Sequence, residues 1–423
     1  MADGSQDFST LPTYSMAERD RRWSLARDFM DEQDVEALLV FGEHEDNGPA
    51  PFNFDTWFTA DRPGSIILFR RDGDPVPVYA APIQGLDWVE EIARGNTPWI
   101  GPDDLRFGRQ AAMLVPTMKE LGFDKLKIGV VGLDPYSFWQ PDGFVPYNLW
   151  VAILEAFPQA EFKSVGKAFT RLIQILSDEE IAVLGHSAAI GDSMARAMVE
   201  TARPGISEAE IYAAGMAAAN RNGAVTPQMH FWTGKTTMAI GVPTWAYRPI
   251  APRMVEEGDK VHSEVFCCWG GLHSQHQAAI AIGKVHPDVE RAAAVTHECY
   301  LAGLEALRPG NTMHDLAEAM IKPATDAGGW IFGPQFHGLN PMIGRSRMPS
   351  GYSMEGVKHA PKGPPPQVTD MGEVELQPGM SFSFEPSCGF GNHFVALGGT
   401  VVVGKEGAIE FNAYTSKMLR AEW

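Results

Sequence analysis

Short apolar runs separated by longer polar, helix-forming stretches fill the first third of the chain. Ala37–Phe41 is a short buried strand, and residues 65–69 are another. The second turns at Asp72-Gly73 into Val76–Tyr79, and a helix over about 105–121 precedes a strand at 128–131. Ser15 with Glu18 three positions on is a capping-box pattern that starts a helix running to about Met30. A helix near 147–156 leads to Glu161-Phe162. Strands alternating with helices predict an α/β domain behind a loose polar start at 1–14.

The pattern then changes. Asp178, Glu179 and Glu180 head a long helix to about Thr201, complementing its dipole. A Pro-Gly turn, a Ser or Thr cap and an acid three positions later occur at 203–210 and again at 308–315. Each copy ends at a glycine turn, Asn222-Gly223 or Gly328-Gly329, and Pro323 is expected to end or kink the second helix early. A duplicated helix-plus-hairpin half predicts a pseudo-symmetric domain. Residues 349–374 form a long Pro-rich loop, a lid or a subunit contact.

One stretch organises this second part. Residues 257–283 read as strand, Gly270-Gly271 hairpin turn and strand. Alternation puts His262, Glu264 and Phe266 on one face of the first strand, and His273, Gln275 and Gln277 on one face of the second. As neighbours of opposite parity, only one of His273 and His276 faces the same side.

Gly258-Asp259 before this hairpin resembles the pita-bread superfamily of creatinase, prolidase and methionine aminopeptidase. Phe336-His337-Gly338-Leu339 and the stretch from Gln377 to Pro386 resemble that family's next two signatures, in the right order. The resemblance covers roughly 165–423. It implies a creatinase-like α/β N-terminal domain over 1–165. It also implies an α+β catalytic domain over 166–423, with a pseudo-two-fold, a curved antiparallel sheet and outer helices.

Peptidases of this family hold two metals on Asp, Asp, His, Glu and Glu. The matching positions here are Glu264, Gln275, His337, Glu385 and Gly398. A carboxamide is a weak neutral ligand and glycine offers none, so no metal and no cofactor are expected. A single ion on Glu264, His337 and Glu385 is the lesser alternative. Without the metal that supplies hydroxide, peptidase chemistry loses its nucleophile. The resemblance then points to the metal-free creatinase branch: a hydrolase of a C–N bond in a small carboxylate-bearing amide or amidine.

In that branch two arginines grip the substrate carboxylate, one from a partner subunit. Arg62, in Asp61-Arg62-Pro63-Gly64, and Arg345, in Gly344-Arg345, are the counterparts, with Arg347 a neighbour that could serve instead. Arg suits the role because its planar fork binds carboxylate at two points. A homodimer sharing Arg62 across its interface follows as an expectation. The family's catalytic His, about 11 residues before Gly258, is replaced by Tyr247. His337 is the expected substitute proton shuttle, giving a proton to the leaving nitrogen while Glu385 or Glu264 acts as base or cation clamp. Gln275, Gln277 and His273 are expected to contact substrate.

The formal net charge of −19, without a basic run, argues against nucleic acid and anionic membrane partners. Four cysteines, no signal-like start and no long apolar span place the expectation in the cytoplasm. Two further readings are carried: a lyase on a small carboxylate resembling a dimethylsulfoniopropionate lyase of this fold, and a metal-dependent peptidase-like enzyme with altered ligands. A non-enzymatic partner-binding module lacks the charged extensions usual for that role.

Overall fold

Ser15 does start the first helix: its hydroxyl accepts the Glu18 amide at 3.1 Å. The reciprocal half of a capping box is missing, because Glu18 turns its carboxylate to Arg21 and Arg22 instead. The computed structural model of this chain describes residues 11–42, 52–136, 142–226, 228–236, 241–342 and 371–423. Thr13–Ile173 make up one compact unit, and Gln174–Trp423 belong to a second.

The first unit runs in order α1 (Met16–Glu32), β1 (Ala37–Phe41), α2 (Thr56–Thr59), β2 (Ile66–Arg70), β3 (Val76–Tyr79), α3 (Leu86–Ala93) and β4 (Arg106–Phe107). It continues with α4 (Ala111–Glu120), β5 (Lys127–Val131), α5 (Tyr147–Ala156), β6 (Glu161–Ser164) and α6 (Gly166–Ile173). The strands form one mixed sheet in the order β4-β3-β2-β1-β5-β6. Apolar strand residues such as Leu39, Leu68 and Val130 pack on Leu114 and Met118 of α4 and Ile153 of α5. The helix expected over 105–121 is shorter, because Arg106 and Phe107 extend the sheet edge beside Val78 and Tyr79. α6 lies beyond the division expected at 165, yet it belongs to this unit. Its Phe169 ring meets Phe29, Phe54, Trp57 and Phe58 at centroid distances of 5.7 to 5.8 Å, a buried aromatic cluster that ties the helix to α1 and α2.

The second unit contains α7 (Asp178–Thr201), α8 (Glu208–Arg221), β7 (His230–Gly234), β8 (Lys260–Trp269), β9 (Leu272–Ile282), α9 (Pro287–Ala306) and α10 (Met313–Asp326). After these come β10 (Phe336–Gly338), β11 (Ser381–Phe384), β12 (Ser387–Phe390), β13 (His393–Ala396), β14 (Thr400–Val403), β15 (Ala408–Glu410) and β16 (Leu419–Ala421). The duplicated caps are present: Ser207 with Glu210 and Thr312 with Asp315 both form capping boxes. Gly223 and Gly328 close the two helices with φ of 73° and 68°, which a side chain would strain. The early end expected at Pro323 is not found. The proline sits in the last turn of α10, where it forgoes one helical bond while its carbonyl still accepts from Ala327.

β8 and β9 pair through ten residues around Gly270 and Gly271, whose positive φ values of 60° and 80° make the hairpin turn. With β7 and β16 they form a sheet in the order β16-β9-β8-β7, while β10-β11-β14-β15 form a second and β12-β13 a hairpin. One face of the first sheet is apolar: Val261, Val265, Ala278 and Ile280 bury against Met194 and Met198 of α7. In the second half, Tyr300 of α9 and Met320 of α10 bury against Phe382, Phe384 and Val401. The two halves are stitched where Gln277 N–H donates to the Gly398 carbonyl at 3.1 Å and Gln275 N–H to Thr400 Oγ1 at 3.0 Å. Among the described residues no helix is long and apolar enough to cross a membrane.

Candidate active site

The other face of the β7-β8-β9 sheet carries the polar alternates. In the observed register Glu264 lies opposite Gln277 on one side and His230 on the other, while Phe266 faces Gln275 and Cys268 faces His273. All of the polar members of this set except His230 are fully or nearly fully buried.

Two carboxylates dominate. Glu264 Oε2 lies 2.9 Å from His230 Nδ1. Burial alone would raise this carboxyl, but His230 beside it and the Gln277 amide hold it well below the usual range, so it is ionised. Glu385 follows β11 directly and enters from the second half, its amide N–H donating to the Gln335 carbonyl at 2.9 Å. Its Oε2 accepts from Gln275 Nε2 at 3.1 Å and Gln277 Nε2 at 2.9 Å, and its Oε1 is 3.5 Å from His337 Nε2. His337 Nδ1 sits 2.8 Å from the Gly338 carbonyl. A carbonyl only accepts, so Nδ1 carries the hydrogen and Nε2 is the atom that can gain or lose a proton toward Glu385.

The residues do not fit two divalent metals. The two carboxamides spend N–H groups on Glu385 Oε2, and a donated N–H cannot ligate a cation. At Gly398 an added Cβ would lie 2.1 Å from the Phe384 carbonyl oxygen, and its φ of 135° resists any side chain, so no carboxylate fits. Among the described residues the one tight grouping of three potential ligand side chains is His286, Asp288 and His393, which includes none of Glu264, His337 and Glu385. Two dications need several carboxylates for charge and geometry, and two acids with two carboxamides do not supply them.

The other expected residues are placed as follows. His273 is buried beside this row, its backbone clasped by Asn340 at 2.8 and 2.9 Å, and burial pushes its imidazole down to about 4. His276 faces the opposite way, 3.5 Å from Asp192 and packed on Gly191 of α7. Tyr247 is 72% exposed, with its hydroxyl 3.5 Å from Gln228 Oε1. Arg62, in the first unit, is bound by Asp87 and lies 3.5 Å from Asp61. Arg345 and Arg347, and most of the Pro-rich loop, lie outside the described residues. The sequence reading missed His230. A search at a fixed offset before Gly258 passes over it, although the run His-Phe-Trp-Thr-Gly at 230–234 carries strand alternation that could have placed it on the same wall.

A curved two-half domain with helices outside and a polar inner wall, preceded by an α/β unit, is the pita-bread architecture. Residues 182–410 match the model of metallopeptidase family M24, and the chain belongs to that family, whose members are hydrolytic enzymes. Creatinase of Bacillus sp. (strain B-0618) is 23% identical over 314 residues, covering 72% of this chain and 70% of its own. Methionine aminopeptidase A of Synechocystis sp. is 26% identical over 142 residues, 33% of this chain and 49% of its own. Among solved structures, an Xaa-Pro dipeptidase from Bacillus anthracis superposes with a TM-score of 0.69 at 17% identity, covering 95% of this chain and 99% of that one. An X-Pro aminopeptidase from Thermotoga maritima gives 0.70 at 15% identity, covering 94% and 99%.

Proposed function

We propose that this protein is a metal-independent hydrolase that cleaves a C–N bond in a small carboxylate-bearing amide or amidine. The observation that carries the reading is the pair of carboxamide N–H groups, from Gln275 and Gln277, donated to Glu385. They hold that carboxylate toward His337 rather than toward a metal.

The roles follow from the two surroundings. Glu264, kept ionised by His230, is a weak base and a strong electrostatic clamp for a cationic or N–H-rich group. His337 is the shuttle. Its Nε2 takes a proton from water as the water oxygen attacks the carbon, and Glu385 stabilises the imidazolium. The same proton then passes to the nitrogen as the C–N bond breaks. The Oε1 atoms of Gln275 and Gln277 are buried acceptors without partners among the described residues, placed to receive substrate N–H groups. In this reading two chains pair, and Arg62 of one exchanges its aspartates for the carboxylate of a substrate in the other.

The test is hydrolysis by protein stripped with a chelator, on guanidino acids, N-acylglycines and Xaa-Pro dipeptides, followed by release of amine or ammonia. Turnover of a guanidino acid or N-acylglycine that is unchanged by chelation is expected. Cleavage confined to Xaa-Pro dipeptides and abolished by chelation would refute it.

A further inference from the structure

The polar row on β8 does not end at Glu264. His262 and Lys260 continue it on the same face, each 1% exposed. His262 lies between Trp232 and Ala279 in the register, with its ring 5.5 Å from that of Phe394. Neither of its ring nitrogens has a partner among the described residues. Burial first, and then the charge of Lys260, push its imidazole down to about 3, so it is neutral and presents one N–H and one lone pair. A donor and an acceptor buried together without partners are costly, and such a group is usually explained by something that binds it.

Lys260 lies opposite Gly234 and Ala281, and its amine donates to the Phe394 carbonyl. Trp330 stacks on Phe394 at 5.4 Å and 8°, giving this end a flat aromatic wall. The row is therefore sorted by charge. Glu264, Glu385 and the two carboxamide oxygens lie at one end, and a neutral imidazole and an amine lie at the other.

We propose that the Lys260–His262 end is the subsite for the substrate's anionic group, a carboxylate. The His262 N–H donates to one of its oxygens and Lys260 supplies the opposite charge. The reading rests on the proposed carboxylate-bearing substrate, and it supplies the grip from the chain that holds Glu264 and His337. Burial pushes the Lys260 amine down to about 7, and a carboxylate alongside restores its charged form.

Calorimetry with guanidinoacetate and its neutral carboxamide tests this without any turnover. The wild type is expected to bind the carboxylate at least about tenfold tighter. His262→Phe and Lys260→Met, each checked for folding by its thermal transition, are expected to bring the ratio within about twofold. His262→Asn, which keeps an N–H donor, should retain part of it. Glu264→Gln should weaken both probes together. A wild-type protein that does not bind guanidinoacetate at millimolar concentration, or binds both probes equally, overturns the subsite. So does a ratio that survives His262→Phe and Lys260→Met, or one lost in Arg62→Ala while both of those variants keep it. A protein that keeps the ratio but hydrolyses no guanidino acid would defeat the reaction and leave the subsite standing.

Discussion

The two carboxylates of the site come from the two duplicated halves, yet they are held differently. Glu264, from the first half, meets an imidazole at 2.9 Å, and its ionised form is favoured. Glu385, from the second, meets its imidazole at 3.5 Å and accepts from two neutral carboxamides. The first arrangement fixes a charge. In the proposed reaction the second would let a proton pass between Nε2 and the reacting atoms, with the carboxylate beside it to stabilise the imidazolium. In that reaction the duplicated scaffold would thus carry one electrostatic clamp and one acid-base group.

The largest effect is expected at His337. His337→Ala is expected to lose at least about 100-fold in turnover, measured under substrate saturation, while Tyr247→Phe stays within about threefold of wild type because its ring faces solvent. A dead Tyr247→Phe with an active His337→Ala would move the shuttle. His230→Ala acts on the other half. It strands the buried Glu264 charge, and chemical denaturation should show a loss of about 3 kcal/mol. Glu264→Gln in that background is expected to recover part of it. If His230→Ala is as stable as wild type, the clamp is not a paired charge.

A smaller effect is expected from Gln277→Leu, which removes one N–H from Glu385. Turnover should fall roughly tenfold, the scale of one charge-assisted hydrogen bond, with stability little changed. The smallest concerns pH. His262 is held neutral when folded, near 3, whereas an unfolded imidazole titrates near about 6.5. Its contribution to stability is full above about 6.5 and is lost as pH falls toward 3, by at most about 1.4 kcal/mol per pH unit. His262→Phe should flatten the decline of unfolding free energy between pH 6.5 and 4. An unchanged slope would mean that His262 is protonated in the folded state.

Much of this was legible from residue order. Alternation and the Gly270-Gly271 turn placed Glu264, Gln275 and Gln277 on one wall, and the register pairs them as alternation requires. His337 and Glu385 were legible from their signatures. What was not legible depends on contacts distant in sequence. His230 reaches Glu264 only because β7 pairs with β8 in one register. Lys260 and His262 owe their surroundings to Phe394, which comes from a hairpin far along the chain. Tyr247 shows the weakness of counting back from a motif: the family's His position falls here on an exposed ring. The length of α6 in the first unit likewise depends on four rings gathered around Phe169 from elsewhere.

In the proposed reaction, acid-base residues would do here what metals do in peptidases of the family. The most direct measurement is elemental analysis of the purified full-length protein, paired with turnover before and after exhaustive chelation. Well below one equivalent of manganese, iron, cobalt or zinc per chain is expected, with turnover unaffected by the chelator. Two tightly bound metal ions per chain, removed together with activity and restored together by adding the metal back, would contradict it.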